Sequence, residues 1–345
     1  MKSYLLYGKK DVRYCDIPYP DDTADNEVIV KIKSVGICGS DIHYYKDGKI
    51  GDFIPREPFA LGHELSGVIE KESSLYPKLK KGTRVAINPS RPCKTCVHCK
   101  AGKQNLCPSM KYIGSASVYP HLNGGFSEYI KIPAENCVPL KDFISFEMAS
   151  LLEPLSVVLH ALNLAGDLEG KSVLITGAGT IGQLCHMAAS LYTTEPIVIT
   201  DIRTPALIKA TKIGVTAALN PLEPDFEANL SSLAPQGFDI LLEASGANKI
   251  LTNTVKFIKK GGKIVQLGMH HDDAQFPFAA CMKNELTFQS SFRFNQEYSL
   301  AVELLEQQKI DLTKIITNRF PFDEIPEAMK SASDSIEDIK IIVEN

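Results

Sequence analysis

The hydrophobic pattern of this chain changes period once. Over the first 150 residues apolar and polar positions alternate in short runs broken by Pro, Gly and Asp. "EVIVKIKSVGI", "SGVIEKE" and "TRVAIN" each send alternate side chains to one face, the period of a half-buried strand. Helical spacing is first sustained in "EMASLLEPLSVVLHALNLAG" (147–166). After Lys171 continuous apolar runs take over: "SVLITG", "PIVITD", "AALN", "FDILLEAS", "KIVQLG" and "LTFQSSF" read as strands buried on both faces of a parallel sheet. The helical stretches "IGQLCHMAASLY", "PALIKATKIG" and "NKILTNTVKFIKKGG" separate them. This βαβ rhythm predicts an open, doubly wound parallel sheet with helices on both faces, a Rossmann domain at 151–294.

The tail adds a helix, "EYSLAVELLEQQ", then "DEIPEAMKSAS" and a strand-like "IKIIVEN". It has no partner in the α/β segment and is expected to return to the β-rich domain, which then comprises 1–150 and 295–345. The fold class is α/β with two domains.

Composition narrows the function classes. At 345 residues and 44% hydrophobic the chain can bury two cores. A formal charge of -4 with scattered Lys and Arg gives no polyanion footprint, so no nucleic-acid partner is expected. No window approaches the roughly 18 apolar residues of a membrane span, and the opening "MKSYLLYGKK" is too short in apolar residues for a secretory leader. A cytoplasmic location is the default expectation. Thiols stay reduced there, so clustered cysteines point to metal or catalysis before disulfides.

Two motifs carry specific chemistry. "GAGTIG" fits G-x-G-x-x-G, follows a strand and opens a helix. Gly177 permits the tight turn, Gly179 admits a pyrophosphate, Gly182 lets helix and strand pack closely, and Thr180 and Ile181 complete the loop. Asp201 ends the next strand, where a carboxylate takes the ribose 2'-hydroxyl of NAD. Arg203 can accommodate a 2'-phosphate, so NADP stands as the second cofactor behind NAD.

"CKTCVHCKAGKQNLC" places Cys93, Cys96, Cys99 and Cys107 so that four thiolates can surround one tetrahedral ion. The spacing also approaches a ferredoxin run, down to Pro108. That run has three residues before its last Cys where this chain has seven, so structural zinc is read over an iron–sulfur cluster. A site closed by four sulfurs performs no chemistry. Catalysis is sought instead in "GICGSDIHYY" (Cys38, Ser40, His43, Tyr44), "LGHELSG" (His63, Glu64) and "LLEPLSV" (Glu153). One thiolate, one imidazole and one or two carboxylates form a zinc set with a position left open. Each residue alone reads more simply as core or surface; their joint occurrence beside a dinucleotide motif carries the argument. Cys15, Cys137, Cys185 and Cys281 read as core or loop thiols, His186 as packing or surface, His98 as exposed, and His270 and His271 as loop residues.

At these residues the chain resembles the zinc-containing medium-chain alcohol and polyol dehydrogenases. The matching segments are "GICGSDIHYY", "LGHELSG", "CKTCVHCKAGKQNLC", "GGFSEY", "EPLSV" and "GAGTIG", in family order over nearly the full length. The resemblance implies a GroES-like catalytic domain, a Rossmann domain, two zinc ions per chain and a homo-oligomer, dimer or tetramer. It implies that Cys38, His63 and a Glu hold the catalytic zinc, with Glu64 and Glu153 both at the metal and either one bound directly. "CGSDIHYYKDGKIGDF" resembles the sorbitol dehydrogenase branch, where residues matching Tyr44, Ile50 and Phe53 line the substrate pocket; Phe126 of "GGFSEY" and Arg293 of "SSFRF" join them as substrate residues. "AINPSRPC", "IGSASVYPHLNGGF" and "SSFRF" are similar to the L-idonate 5-dehydrogenases. A sugar acid or polyol is therefore the expected substrate, with Ser40 and His43 relaying the hydroxyl proton. An L-threonine 3-dehydrogenase-like activity and a non-catalytic NAD-binding role are the competing readings.

Overall fold

The computed structural model describes residues 1–269 and 275–345; His270 and His271 lie outside them. The chain divides into two units, Met1–Glu153 with Tyr298–Asn345, and Pro154–Glu297.

The first unit is built around the strand Glu27–Gly36. It pairs antiparallel with Glu64–Lys71, Tyr129–Pro133 and the C-terminal strand Lys340–Glu344 within a seven-stranded sheet. Register shifts between Ile29 and Val30 and between Ile32 and Ser34 let the strand serve several partners, since each shift bends and twists the strand locally. Val28, Val30, Ile32 and Val35 are buried in one hydrophobic core with Leu65, Ile69, Phe126, Ile341 and Val343. Each fully buried aliphatic side chain of this kind contributes roughly 1.5–3 kcal/mol. The tail's last strand fills a gap in the same sheet, with Ile342 opposite Gly36.

The second unit holds a six-stranded, wholly parallel sheet. Its order is Ala217–Leu219, Ile197–Thr200, Val173–Thr176, Phe238–Glu243, Ile258–Gln266, Thr287–Ser290, the doubly wound 3-2-1-4-5-6 arrangement. The expectation of burial on both faces holds for Val173–Thr176 and Ile197–Thr200, whose four residues are all enclosed. It does not hold for the two edge strands: Ala217–Leu219 is half-buried and Thr287–Ser290 is exposed, since an edge strand is covered on fewer sides.

Three local expectations fail for identifiable reasons. The helix expected over 147–166 breaks at Leu151 into Phe146–Ser150 and Leu152–Ala165, because Pro154 has no N–H to offer the Ser150 carbonyl. The helix expected through "NKILTNTVKFIKKGG" ends early: Ile250–Thr254 and one 3-10 turn, Val255–Phe257, give way to the strand Ile258–Gln266. Gly261 takes φ 74°, and a Cβ on Gly262 would lie 2.8 Å from the Lys259 carbonyl, so this glycine pair makes a strand kink. The stretch after Cys38 forms a helix, Gly39–Asp47, that alternation alone did not announce.

Candidate active site

Strand register brings the first cluster together. Gly36 lies opposite Glu64 on one side and Ile342 on the other, so the ends of two strands meet there beside the middle of a third. Two residues past Gly36, Cys38 caps the helix Gly39–Asp47. His63 immediately precedes the strand Glu64–Lys71. One donor atom each from Cys38, His63 and Glu64 lies within 4.8 Å of the other two, and His63 and Glu64 are buried.

Asp41, which the sequence analysis did not single out, completes the arrangement. It is fully buried, its Oδ2 accepts from the Cys38 N–H at 3.0 Å, and its Oδ1 lies 3.6 Å from His63 Nδ1. His63 Nε2 is 3.4 Å from Ser40 Oγ, and a side-chain hydrogen bond links the ring to Cys38. A metal-ligating histidine commonly has its second ring nitrogen oriented by a carboxylate, which fixes the tautomer. The available signal was the Asp three residues after Cys38 at a helix start, the position of a capping acid.

The electrostatics favour a cation. Burial pushes the Asp41 carboxyl upward, with His63 and the Cys38 N–H opposing that shift. Burial likewise raises Glu153, against the pull of His63. Burial alone would lower His63, yet Asp41, Cys38 and Glu153 together carry it well above its ordinary value. His63 Nδ1 and Asp41 Oδ1 have no hydrogen-bond partner, the 3.6 Å between them being too long. Soft sulfur, imidazole and carboxylate around an enclosed point fit zinc with one position left over. Glu153 falls outside the 4.8 Å span of the trio; its Oε1 accepts from the Tyr112 hydroxyl at 2.6 Å.

The other expected residues of this unit are placed as follows. His43 sits one helical turn before Asp47, its Nδ1 3.1 Å from Oδ2. Tyr44 is 1% exposed; its hydroxyl accepts from Ala116 N at 3.2 Å and meets Ser115 Oγ at 3.3 Å. Ile50 is buried and bridges Phe53 across a tight turn. Phe53 lines a cleft of about 300 Å³ with Asp52, Arg56, Ser117, Tyr119 and His121. Phe126 is wholly enclosed in the core, against Gly62.

The four-cysteine segment forms a separate lobe. Its four sulfurs lie within 4.8 Å of one another, and none of the nine cysteines is in a disulfide. Backbone N–H groups point at the sulfurs: Cys93 N to Cys107 Sγ at 3.3 Å, Cys96 N to Cys93 Sγ at 3.3 Å, Cys99 N to Cys96 Sγ at 3.4 Å. Hydrogen bonds from Thr95, Cys96 and Cys107 bring the Cys93 thiol down to about 5. Burial pushes the Cys99 thiol the other way, up to about 12, a cost that a bound cation would offset; four sulfurs at this spacing fit a closed zinc site. Cys137 and Cys185 are buried core thiols, and Cys15 and Cys281 are half-buried. His98 is half-buried rather than exposed. His186 is enclosed, its ring held down to about 4 by burial.

In the second unit the glycine loop has the shape that its sequence predicts. Gly177 takes φ 88°, and a Cβ on Gly182 would lie 1.8 Å from the Gly177 carbonyl. Gly179 caps the helix Thr180–Ala189, which carries Thr180 and Ile181 in its first turn. A Cβ on Gly179 would meet only the Arg203 guanidinium, at 3.6 Å. Asp201 Oδ2 accepts from Ala178 N at 2.7 Å, and Oδ1 accepts from Arg203 N at 2.8 Å. Asp201 thereby ties the end of the second strand to the loop after the first. Arg293 adopts a left-handed backbone, φ 54°, with its guanidinium 5.0 Å from the Phe292 ring centre.

Residues 24–142 match the alcohol dehydrogenase GroES-like domain, and residues 180–307 match the zinc-binding dehydrogenase family. A probable D-xylulose reductase A of Aspergillus clavatus is 36% identical over 334 residues, covering 95% of this chain and 92% of that protein. The crystal structure of Escherichia coli L-idonate 5-dehydrogenase superposes with a TM-score of 0.91 at 33% identity, over 100% of this chain and 98% of that one. An alcohol dehydrogenase of Escherichia coli CFT073, solved with NADH, gives a TM-score of 0.90 at 26% identity over 100% and 99%. Among the described residues no helix is long and apolar enough to cross a membrane. The GroES-like and Rossmann units, the two sulfur-bearing clusters and these matches agree: the chain belongs to the zinc-containing medium-chain alcohol and polyol dehydrogenases, with zinc and NAD(P) as cofactors.

Proposed function

We propose that this protein oxidises a secondary alcohol of a sugar acid or polyol, and specifically the C5 hydroxyl of L-idonate to give 5-ketogluconate, with NAD as acceptor. The observation that carries the reaction class is the Cys38/His63/Glu64 trio, with His63 and Glu64 buried and the Asp41 carboxylate 3.6 Å from the His63 ring, in a chain that also carries a complete dinucleotide loop. When bound, zinc supplies Lewis acidity to the substrate hydroxyl, and the nicotinamide accepts the hydride.

The chain's own residues do the rest. Cys38, His63 and Glu64 hold the ion, and Glu153, fixed by Tyr112, orients what occupies the open position. Ser40, 3.4 Å from His63, takes the hydroxyl proton and His43 passes it outward. Ile50 and Phe53 bound the substrate, and Tyr44 acts through the 115–116 backbone that it holds. Gly177, Gly179, Thr180, Ile181 and Gly182 receive the pyrophosphate, Asp201 the adenosine ribose, and Arg203 a 2'-phosphate when NADP is used. The protein works as a homo-oligomer.

An aldonate brings a carboxylate that a polyol lacks, and Arg293 is assigned to it because a guanidinium grips a carboxylate through two parallel hydrogen bonds. The D-xylulose reductase relative favours a second reading, a xylitol- or sorbitol-type polyol dehydrogenase. NADH formation over L-idonate, sorbitol, xylitol and L-threonine separates them. The expected result is the highest kcat/KM on L-idonate, with Arg293→Lys raising KM for idonate more than for sorbitol. Polyol turnover far above idonate, or equal losses on both substrates, would sink the acid reading and leave the polyol one.

A further inference from the structure

Lys340 is an unusual residue for its position. It opens the C-terminal strand Lys340–Glu344, whose next three residues, Ile341, Ile342 and Val343, are all core. Its side chain is 0% exposed. An ammonium so deeply enclosed is tolerated only when its partners replace water. Two partners do so. Nζ donates to the Ile37 carbonyl at 2.8 Å and lies 2.5 Å from Glu64 Oε2, an ion pair set off the line of a good hydrogen bond. Ile37 immediately precedes Cys38, so one ammonium grips both segments that carry anionic donors of the trio.

The opposite side of Glu64 is walled as closely. A Cβ on Gly36 would fall 2.1 Å from Glu64 Oε2. Oε2 thus occupies a slot that exists because residue 36 has no side chain, with Lys340 holding it there. The geometry points to Lys340 as a positioning residue: it retains one oxygen of Glu64 and leaves only Oε1 for the ion. Glu64 then binds through one oxygen, and the coordination position that a second oxygen would fill stays available to substrate. The inference rests on reading Cys38, His63 and Glu64 as the metal site.

The consequence differs from that of an ordinary buried ion pair. Removing the ammonium frees Oε2 and deletes a positive charge that competes with the ion for Glu64. In Lys340→Met and Lys340→Gln the ion should therefore be held at least as tightly as in the wild type, but by both oxygens. Turnover should fall about 10–100-fold, through kcat rather than KM. With zinc present the ion replaces Lys340 as the partner of Oε2, so both variants should fold.

The test exchanges cobalt(II) into the full-length enzyme and records the visible ligand-field bands, with Cys38→Ser as the baseline that retains the cysteine lobe. Metal release to a chromogenic chelator gives relative affinity. The expected result is weaker bands in both neutral variants, as coordination number rises, with release no faster than wild type. Lys340→Arg should restore the wild-type spectrum and part of the activity. Unchanged bands with faster release would overturn the proposal, as would failure of both neutral variants to fold in the presence of zinc. If Cys38→Ser left the cobalt bands of the wild type intact, the metal-site reading itself would fall, independently of Lys340.

Discussion

The two sulfur-bearing clusters are built in opposite ways. In the lobe, four donors of one kind come from a single loop, and their immediate support is backbone N–H groups of that loop. In the other cluster Cys38, His63 and Glu64 come from a helix cap and a strand start, with Asp41 and Lys340 behind them. Lys340 and Ile37 are 303 residues apart in the chain. The first cluster organises its own loop around an ion; the second exists only after the sheet has closed its register. The difference teaches where damage should appear. Loss of a lobe ligand should be read in stability, and loss of a ligand of the enclosed trio in chemistry.

The largest test of that contrast is a pair of serines. Cys38→Ser should lower kcat/KM on the order of a thousandfold or more while leaving the thermal melt close to wild type. Cys96→Ser should do the reverse, costing about 4 kcal/mol of stability because a structural ion is bound by the folded state alone. Activity per folded molecule should survive in Cys96→Ser. Zinc analysis should fall from two ions to one in either variant. If both serines lost activity without losing stability, the lobe would be part of the chemistry and the contrast would be broken.

A smaller effect is expected from Asp41→Asn. The amide keeps the volume and can still accept from the Cys38 N–H, but it presents no charge to His63 Nδ1. Metal affinity at the enclosed centre should drop about 10–100-fold, the usual penalty for losing an outer-shell carboxylate. The lobe should keep its ion throughout. Competition with a chelator measures both releases in one experiment, and equal release rates would show that Asp41 does not orient the ring.

Contiguous patterns were legible in the sequence. The spacing of the four cysteines, the glycine loop and the period change after Lys171 each occupy one stretch, and the wholly parallel sheet follows from the last of these, its strand order being set by the fold. Asp41 and Lys340 carry no such pattern. Each is a single charged residue whose meaning comes from burial, and burial here is set by strands from distant parts of the chain. Glu64 and Glu153 were indistinguishable in sequence; the structure separates them by partner, Lys340 for one and Tyr112 for the other. Helical periodicity runs past the true helix end where sheet pairing takes over, as at Ile258, which already pairs with Phe238.

The smallest expected effect comes from a buried carboxylate that needs no ion. Glu297 is 8% exposed, as enclosed as Glu153 at 5%. Burial would raise its carboxyl, but His160 Nδ1 at 3.0 Å, Asn163 Nδ2 at 3.0 Å and Asn295 N at 2.6 Å hold it down to about 2. Asp41 and Glu153, which lack such a set of hydrogen-bond donors, are shifted upward instead. A depressed carboxyl contributes stability that is complete above its unfolded value, near 4.3, and is lost as pH falls toward 2. Glu297→Gln should therefore cost about 1–3 kcal/mol at neutral pH, a gap that closes as the solution is acidified through that window. Because its donors belong to the chain, the gap should be the same with and without the catalytic ion, whereas the stability difference for Asp41→Asn should depend on it. Denaturant melts of both variants, with metal and after chelation at two pH values, measure this. A Glu297 gap that followed the metal would mean that the enclosed carboxylates share one electrostatic system.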